Sequence, residues 1–256
     1  MRIVVKVGTS TLAHATGNLN IRHVEKLCRV LSDLKNAGHQ IILVSSGAIG
    51  MGIGKLGLTT RPTDMPGKQA AAAVGQCELM YAYDKLFGEY NHTVAQLLLT
   101  GEDIESDSRR LNVENTLSRL LEFGALPIIN ENDTVSTSEI SLGDNDTLAA
   151  IVAKCVSADL LVLLTDIDGL YTADPRTDPS AKLIPRVEEI TPEMMALAGD
   201  RGSALGTGGM ATKLRAAQMA TQAGIDMIIA AGDRPECLYD IQEGLSVGTR
   251  FFARRK

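Results

Sequence analysis

The sequence predicts an α/β protein, a three-layer αβα sandwich with a largely parallel central sheet, and three observations predict it. Short runs rich in Val, Ile and Leu alternate with amphipathic stretches of helix length, the pattern of successive βα units. The runs are apolar throughout instead of at every second residue, as strands need when helices cover both faces of their sheet. The motifs that carry chemistry fall just after these runs, at the strand ends where open α/β sheets bind ligands.

In chain order, residues 2–7 (RIVVKV) read as the first strand, and a helical pattern follows at 22–37. Residues 40–44 (QIILV) are the second strand, followed by a glycine-rich loop at 45–54 and a helix at 67–88. Strands at 93–99 (TVAQLLL), 126–130 (LPIIN), 159–164 (DLLVLL) and 225–230 are separated by helices at 108–123, 146–157 and 209–223, and a last helix spans 235–243. Two stretches break the alternation. Residues 131–144 alternate polar and β-branched side chains and read as a small hairpin over the sheet's edge. Residues 168–192 hold four of the eight prolines and read as a loop with short strands. Both are candidate lids over a ligand.

Composition narrows the function. With 256 residues, 45% hydrophobic and 22% charged, the chain is long and apolar enough for a buried core and is not a disordered segment. The longest apolar stretches, such as LLVLL at 160–164, are strand length and fall far short of the roughly 20 residues of a membrane span. The first strand opens within a few residues of Met1 and carries Lys6, so a cleaved leader is not expected. Cys28, Cys77, Cys155 and Cys237 lie far apart with no CxxC pair, which points to reduced, mostly packed thiols in a cytoplasmic protein. A net charge of −6 disfavours a nucleic-acid reader, which needs a clustered basic surface. The basic cluster from Arg250 to Lys256 reads as a solvated tail.

The local motifs point to phosphate. SSGAIGMGIG at 45–54 follows a strand directly, and glycines let backbone N–H groups approach an anion closely. A plain strand-to-helix loop is the alternative. GTGGMATK at 206–213 opens a helix and places Lys213 one turn in, which suits a phosphate better than a simple cap. Gly52, Gly54 and Gly57 satisfy G-x-G-x-x-G, but too far from the strand for a dinucleotide turn. Neither glycine cluster has the Walker spacing, so this is not an ordinary P-loop NTPase. Lys6 and Gly8 end the first strand in VVKVGTST. A lysine on a central strand needs an ionic partner or a phosphate; on an edge strand it would simply face water. NEND at 130–133, GDND at 143–146 and TDIDG at 165–169 each follow or precede strands and could converge on one crevice. Taken singly, each also suits a turn or a helix cap. TDIDG lacks the spacing of a calcium loop.

In their order, VVKVGTS, VSSGAIG, INENDTV, GDNDTL, LLTDIDGLYTADPR and GTGGMATK resemble the amino acid kinase family. GDND with LYTADPR and GTGGMATK resembles the branch of it that phosphorylates the γ-carboxylate of L-glutamate, and the resemblance runs from Lys6 to about Phe251. It implies the amino acid kinase fold in a single domain over 1–256, without the PUA-like C-terminal domain that longer members carry. It implies ATP as donor with Mg2+, L-glutamyl 5-phosphate and ADP as products, and the first step of proline biosynthesis. Lys6 and Lys213 are then expected at the phosphoryl groups, with Asp146 orienting both. Ser46, Asp133 and Asn145 are expected on glutamate, and Gly47 near the transferring phosphate. Gly8, Thr165, Asp166, Thr207, Gly208, Gly209, Met210, Ala211 and Thr212 are expected with the lysines around ATP, and no protein side chain is assigned to the metal. Partners implied are proline as a feedback inhibitor, a dimeric or tetrameric homo-oligomer, and handover to glutamate-5-semialdehyde dehydrogenase. Another activity of the family, or a non-catalytic sensor of nucleotide or amino acid on the same fold, stays open at this point.

Overall fold

The computed structural model describes residues 1–14, 16–136, 144–199 and 209–254. In chain order its elements are β1 (Arg2–Val7), α1 (Thr9–Leu12), α2 (Ile21–Asn36), β2 (Gln40–Ser45), α3 (Ala48–Lys55), α4 (Met65–Gly88), β3 (Val94–Leu99), α5 (Gly101–Glu105), α6 (Asp107–Glu122), β4 (Leu126–Glu131), α7 (Asn145–Cys155), β5 (Leu160–Thr165), β6 (Arg186–Val187), α8 (Pro192–Gly199), α9 (Met210–Gln222), β7 (Asp226–Ala231), α10 (Cys237–Gln242) and β8 (Thr249–Phe251). The strands form one sheet in the order β3-β4-β2-β1-β5-β7-β8-β6. β1 to β5 and β7 run parallel, and β8 returns antiparallel to β7.

Because side chains alternate along a strand, β1 feeds two cores. Val4 joins Ile42, Val44, Leu161 and Leu163 under α7, α9 and α6. Ile3, Val5 and Val7 join Ile41, Leu43 and Val162 under α2, α4 and α10. Strands clothed on both faces must be apolar on both, which is why their runs are unbroken. Lys6 shares a face with Val4 and so points toward the α7/α9 layer. β1 lies between β2, with Lys6 opposite Val44, and β5, with Lys6 opposite Leu163. It is a central strand, and the edge reading of Lys6 falls away. The chain lays β2, β3 and β4 on one side of β1, with β4 between β2 and β3, and then crosses to the other, so the carboxyl ends of β1, β2, β4 and β5 border one crevice.

The structure corrects the sequence reading in several places. Residues 45–54 are only briefly a loop: Gly47, at φ 105°, turns the chain, and α3 begins at Ala48. Two of the glycines of α3 serve packing, Gly54 against the Gly17 backbone and Gly52 against α4. A Cβ at Gly52 would lie 1.8 Å from the Ala71 carbonyl oxygen, and one at Gly75 on α4 would lie 1.7 Å from that of Ala48. The two helices therefore cross with backbones nearly in contact, a gain that outweighs the low helix propensity of glycine. The basic C-terminal cluster is not wholly a solvated tail. Arg250 lies in β8, its Nε and Nη2 donate to Asp226 Oδ2 at 3.0 and 2.6 Å, and with Arg186 it lies against the Phe252 ring. Of the expected hairpin, β4 extends to Glu131 and a turn follows to Ser136; residues 137–143 lie outside the described residues. The 168–192 loop does carry a short strand, β6, and runs into α8 at Pro192. Of the cysteines, Cys28 and Cys237 are buried, Cys155 is partly buried and Cys77 is exposed; all four are free.

Candidate active site

At the centre of the crevice a carboxylate is held between two ammonium groups. Lys6 Nζ lies 2.7 Å from Asp146 Oδ1, and Lys213 Nζ lies 3.0 Å from Asp146 Oδ2. All three are buried: Lys6 is 8% exposed, Lys213 4% and Asp146 0%. The residues come from three separate elements, β1, the first turn of α7 and the first turn of α9. Burial pushes the Asp146 carboxyl up, but Lys6 and Lys213 outweigh it and hold it below the usual carboxylate range. Asp146 is therefore an ionised anchor and not a proton carrier. Two ammonium groups flanking one carboxylate under the crevice suit an anion.

Local sequence explains each placement. Asp144 caps α7 by accepting from the Asp146 N–H, which brings Asp146 into the first turn and over β1. Gly209 starts α9, and Lys213 donates the helix's first backbone bond, to the Gly209 carbonyl. Thr212 Oγ1 donates to the same carbonyl at 2.7 Å. The N–H groups of Met210, Ala211 and Thr212 precede that first bond and have no intrahelical acceptor. Three helices begin at this crevice behind a glycine with no side-chain cap: α1 at Gly8, α3 at Gly47 and α9 at Gly209. Elsewhere Asn20 and Asp64 cap α2 and α4 through their side chains. Uncapped N-termini next to buried lysines make a receptive cradle for phosphate.

Beside the ion triad lies a network of amides and hydroxyls. Asn145 Nδ2 donates to Ser46 Oγ at 2.7 Å and to Asn130 Oδ1 at 2.9 Å, with a longer contact of 3.4 Å to the Ser45 carbonyl. Asn130 Oδ1 also accepts the Glu131 N–H at 2.9 Å, and Asn130 Nδ2 donates to Gln76 Oε1 at 3.0 Å. Ser45 Oγ pairs with the buried Tyr83 hydroxyl at 2.9 Å. Asp133 is half-buried in the turn after β4; burial and the neighbouring Glu131 carboxylate push its carboxyl up to about 6. A carboxyl in that state favours a cationic partner.

On the far side, Thr165 ends β5, its hydroxyl donates to Asp166 Oδ1 at 2.9 Å, and Asp166 is exposed. The structure thus brings together Lys6, Gly8, Ser46, Gly47, Asp146, Asn145 and Lys213 at the strand ends, with Asp133, Thr165, Asp166 and Gly209 to Thr212 on the bordering segments. Thr207 and Gly208 lie outside the described residues. Sequence reasoning missed Asn130 and Gln76 as site residues. Asn130 stood within a noted motif. The signal for Gln76 was a glutamine on the buried stripe of α4, among Ala71, Ala72, Gly75 and Leu79, where a polar side chain needs a partner.

Comparison with known proteins supplies the family and the fold. The model of the amino acid kinase family matches residues 1–231. A glutamate 5-kinase from Clostridium perfringens is 54% identical over 258 residues, covering 99% of this chain and 96% of that protein. One from Clostridium tetani is 55% identical over 98% of this chain and 94% of that protein. One from Moorella thermoacetica is 54% identical, and there the match covers 99% of this chain but 67% of that protein. Among solved structures, carbamate kinase from Giardia lamblia bound to AMP-PNP superposes with a TM-score of 0.67 at 18% identity, covering 98% of each chain. Isopentenyl phosphate kinase of T. acidophilum gives 0.66 at 16%, covering 98% of this chain and 100% of that one. At those identities the structures speak for the fold alone, but the family model spans most of the sequence, and this chain belongs to the amino acid kinase family.

Proposed function

We propose that this protein transfers the γ-phosphoryl group of ATP to the γ-carboxylate of L-glutamate, giving L-glutamyl 5-phosphate and ADP, the first step of proline biosynthesis. The observation that carries the reading is the buried Lys6–Asp146–Lys213 triad beneath three uncapped helix N-termini. Such a site neutralises a transferring phosphoryl group, and its central carboxylate, Asp146, is held ionised by the lysines instead of serving as a general base. A carboxylate acceptor needs none: it is already ionised and nucleophilic, so catalysis reduces to in-line positioning and charge stabilisation. Lys6 and Lys213 offset the charge on the phosphoryl oxygens, and Asp146 keeps the two ammonium groups in place. The backbone around Gly47 faces the transferring group, and Gly8, Thr165, Asp166 and Thr207 to Lys213 surround the nucleotide. Ser46, Asn145 and Asp133 take glutamate, with Asp133 facing its ammonium group. The substrate identity rests on the glutamate 5-kinases to which more than half of the sequence is identical.

Magnesium fits this site as a companion of ATP. Among the described residues no group of three or more His, Cys, Asp or Glu could hold a metal ion, whereas Asp144 keeps a buried carboxylate oxygen without a hydrogen-bond partner. A hard cation that keeps its waters needs no more from the protein than one such oxygen. When bound, it supplies further charge neutralisation at the phosphates. The proposal extends to a single kinase domain over 1–256 in the cytoplasm, a homo-oligomer, inhibition by proline at or beside the glutamate site, and handover of the labile acyl phosphate to glutamate-5-semialdehyde dehydrogenase.

The test is ADP release with L-glutamate, N-acetylglutamate, aspartate and UMP in turn, with hydroxylamine present to trap an acyl phosphate as hydroxamate. Turnover and hydroxamate with free glutamate are expected. Activity confined to another acceptor would move the protein elsewhere in its family, and ATP binding without turnover on any acceptor would make it a sensor.

A further inference from the structure

The long helix α4 reaches the crevice with side chains seven residues apart, Gln69, Gln76 and Tyr83. That spacing is two helical turns, so the three share one face. Gln69 Nε2 donates to the Ser136 carbonyl at 3.2 Å, Gln76 Oε1 accepts from Asn130 Nδ2 at 3.0 Å, and the Tyr83 hydroxyl meets Ser45 Oγ at 2.9 Å. The contact of Gln76 differs from the other two because it holds the donor end of a chain of amides whose polarity is fixed at Asn130 by the Glu131 N–H, which can only donate. Asn130 has one donor end and one acceptor end. With its Nδ2 engaged by Gln76, its Oδ1 faces the Glu131 N–H and Asn145 Nδ2. Asn145 Nδ2 in turn donates to Ser46 Oγ. Ser46 is thereby an acceptor toward Asn145, and its own proton is free to be donated outward. Asn145 is left with its carbonyl oxygen as the end available to a ligand. These are the polarities a zwitterionic amino acid requires: a hydroxyl that donates to a carboxylate and an amide oxygen that accepts from an ammonium.

We infer that Gln76 is a positioning residue for the acceptor substrate. Its side-chain oxygen holds Asn130, and through Asn130 the Asn145–Ser46 pair, in the orientation that binds the substrate. Gln76 is 7% exposed and acts through the network without touching the phosphoryl-transfer centre. The close crossing of α3 and α4 at Gly52 and Gly75 brings its helix near enough to do this. The inference rests on the reading of the site given under Proposed function, and its test separates the two.

Steady-state kinetics are measured for the parent, Gln76→Met, Gln76→Glu, Asn130→Ala and the Gln76→Met/Asn130→Ala double variant, with whichever acceptor the parent phosphorylates. Methionine keeps the length of the side chain and removes the acceptor. Its acceptor KM is expected to rise about tenfold, the size of one buried hydrogen bond lost, with kcat and the KM for ATP changed by less than about threefold. Gln76→Glu keeps an oxygen facing Asn130 and stays closer to the parent KM than methionine does. In the Asn130→Ala background Gln76→Met adds nothing further, because residues in one network are not additive. An unchanged acceptor KM in Gln76→Met, a fall confined to kcat, or additive effects in the double variant each overturn the inference. Should Gln76→Met not fold, a Gln76→Glu protein with a KM like that of Asn130→Ala overturns it equally. A parent that phosphorylates some acceptor other than glutamate refutes the substrate assignment, while the pattern among the variants still decides the role of Gln76.

Discussion

Asp146→Asn removes the shared counter-ion of two buried lysines while keeping nearly the same shape. Lys6 and Lys213, 2.7 and 3.0 Å from the carboxylate, are left as adjacent like charges with little access to water. Breaking a buried ion pair from one side costs about 3–5 kcal/mol. For a chain of this length each kcal/mol moves the midpoint of thermal unfolding by about 2–4 °C, so a fall of about 10 °C is expected. A bound polyphosphate supplies the missing negative charge, so saturating β,γ-imido ATP with magnesium should raise the midpoint more in the variant than in the parent. Turnover should fall by about 10²–10³-fold, because the lysines are no longer aligned on the phosphoryl oxygens. Differential scanning calorimetry with and without the nucleotide analogue, alongside ADP release, measures all three. A nucleotide-free midpoint within about 2 °C of the parent, or a smaller nucleotide gain in the variant, refutes the view that Asp146 is the counter-ion of an anion site.

Three other substitutions probe different links. Lys213→Ala leaves Asp146 paired with Lys6, so circular dichroism should report an intact fold while kcat drops by orders of magnitude; near-parent turnover removes Lys213 from the transition state. Asp133 has its folded-state carboxyl raised to about 6 by burial and Glu131, so its contribution favours the fold at low pH and is lost as pH rises through 6. Asp133→Asn should accordingly raise the unfolding midpoint at pH 7.5, with the gain vanishing below about pH 4, while raising the glutamate KM; an equal gain at both pH values contradicts the assignment. Gly75→Ala drives a methyl group into the Ala48 carbonyl oxygen, 1.7 Å from the Cβ position, and should destabilise by about 3 kcal/mol in urea unfolding, whereas a neutral effect would mean that α3 and α4 do not cross so closely.

The parts of this molecule legible in the sequence are those where burial dictates residue type over several positions. β1, β2, β4, β5 and β7 are covered on both faces and so read as unbroken apolar runs, placed within a residue or two of their ends. Lys6 was legible for the converse reason, since a lysine inside such a run requires a partner. What escaped depends on contacts remote in sequence. The glycines of α3 read locally as a loop, and only contacts remote in sequence, the Ala71 carbonyl of α4 against Gly52 and the Gly17 carbonyl against Gly54, give two of them a packing role. β6 and β8 are two and three residues long, too short for any period, and Arg250 looked like part of a tail because Asp226 lies far back in the chain. Asn130 and Gln76 lie 54 residues apart, and nothing in either segment names the other.

The place of β1 in the sheet has a bearing on how the chain is made. One of its edges pairs with β2 soon after synthesis begins, but the other waits for β5; the Arg2 N–H that bonds the Asp159 carboxylate spans 157 residues. At ribosomal speed that edge stays bare for roughly 10–30 s. A naked hydrophobic strand edge invites pairing with other nascent chains, and positive side chains discourage it. β1 carries one near each end, Arg2 and Lys6. The lysine that later lies beneath the crevice is, during biogenesis, a charge guarding an unfinished sheet.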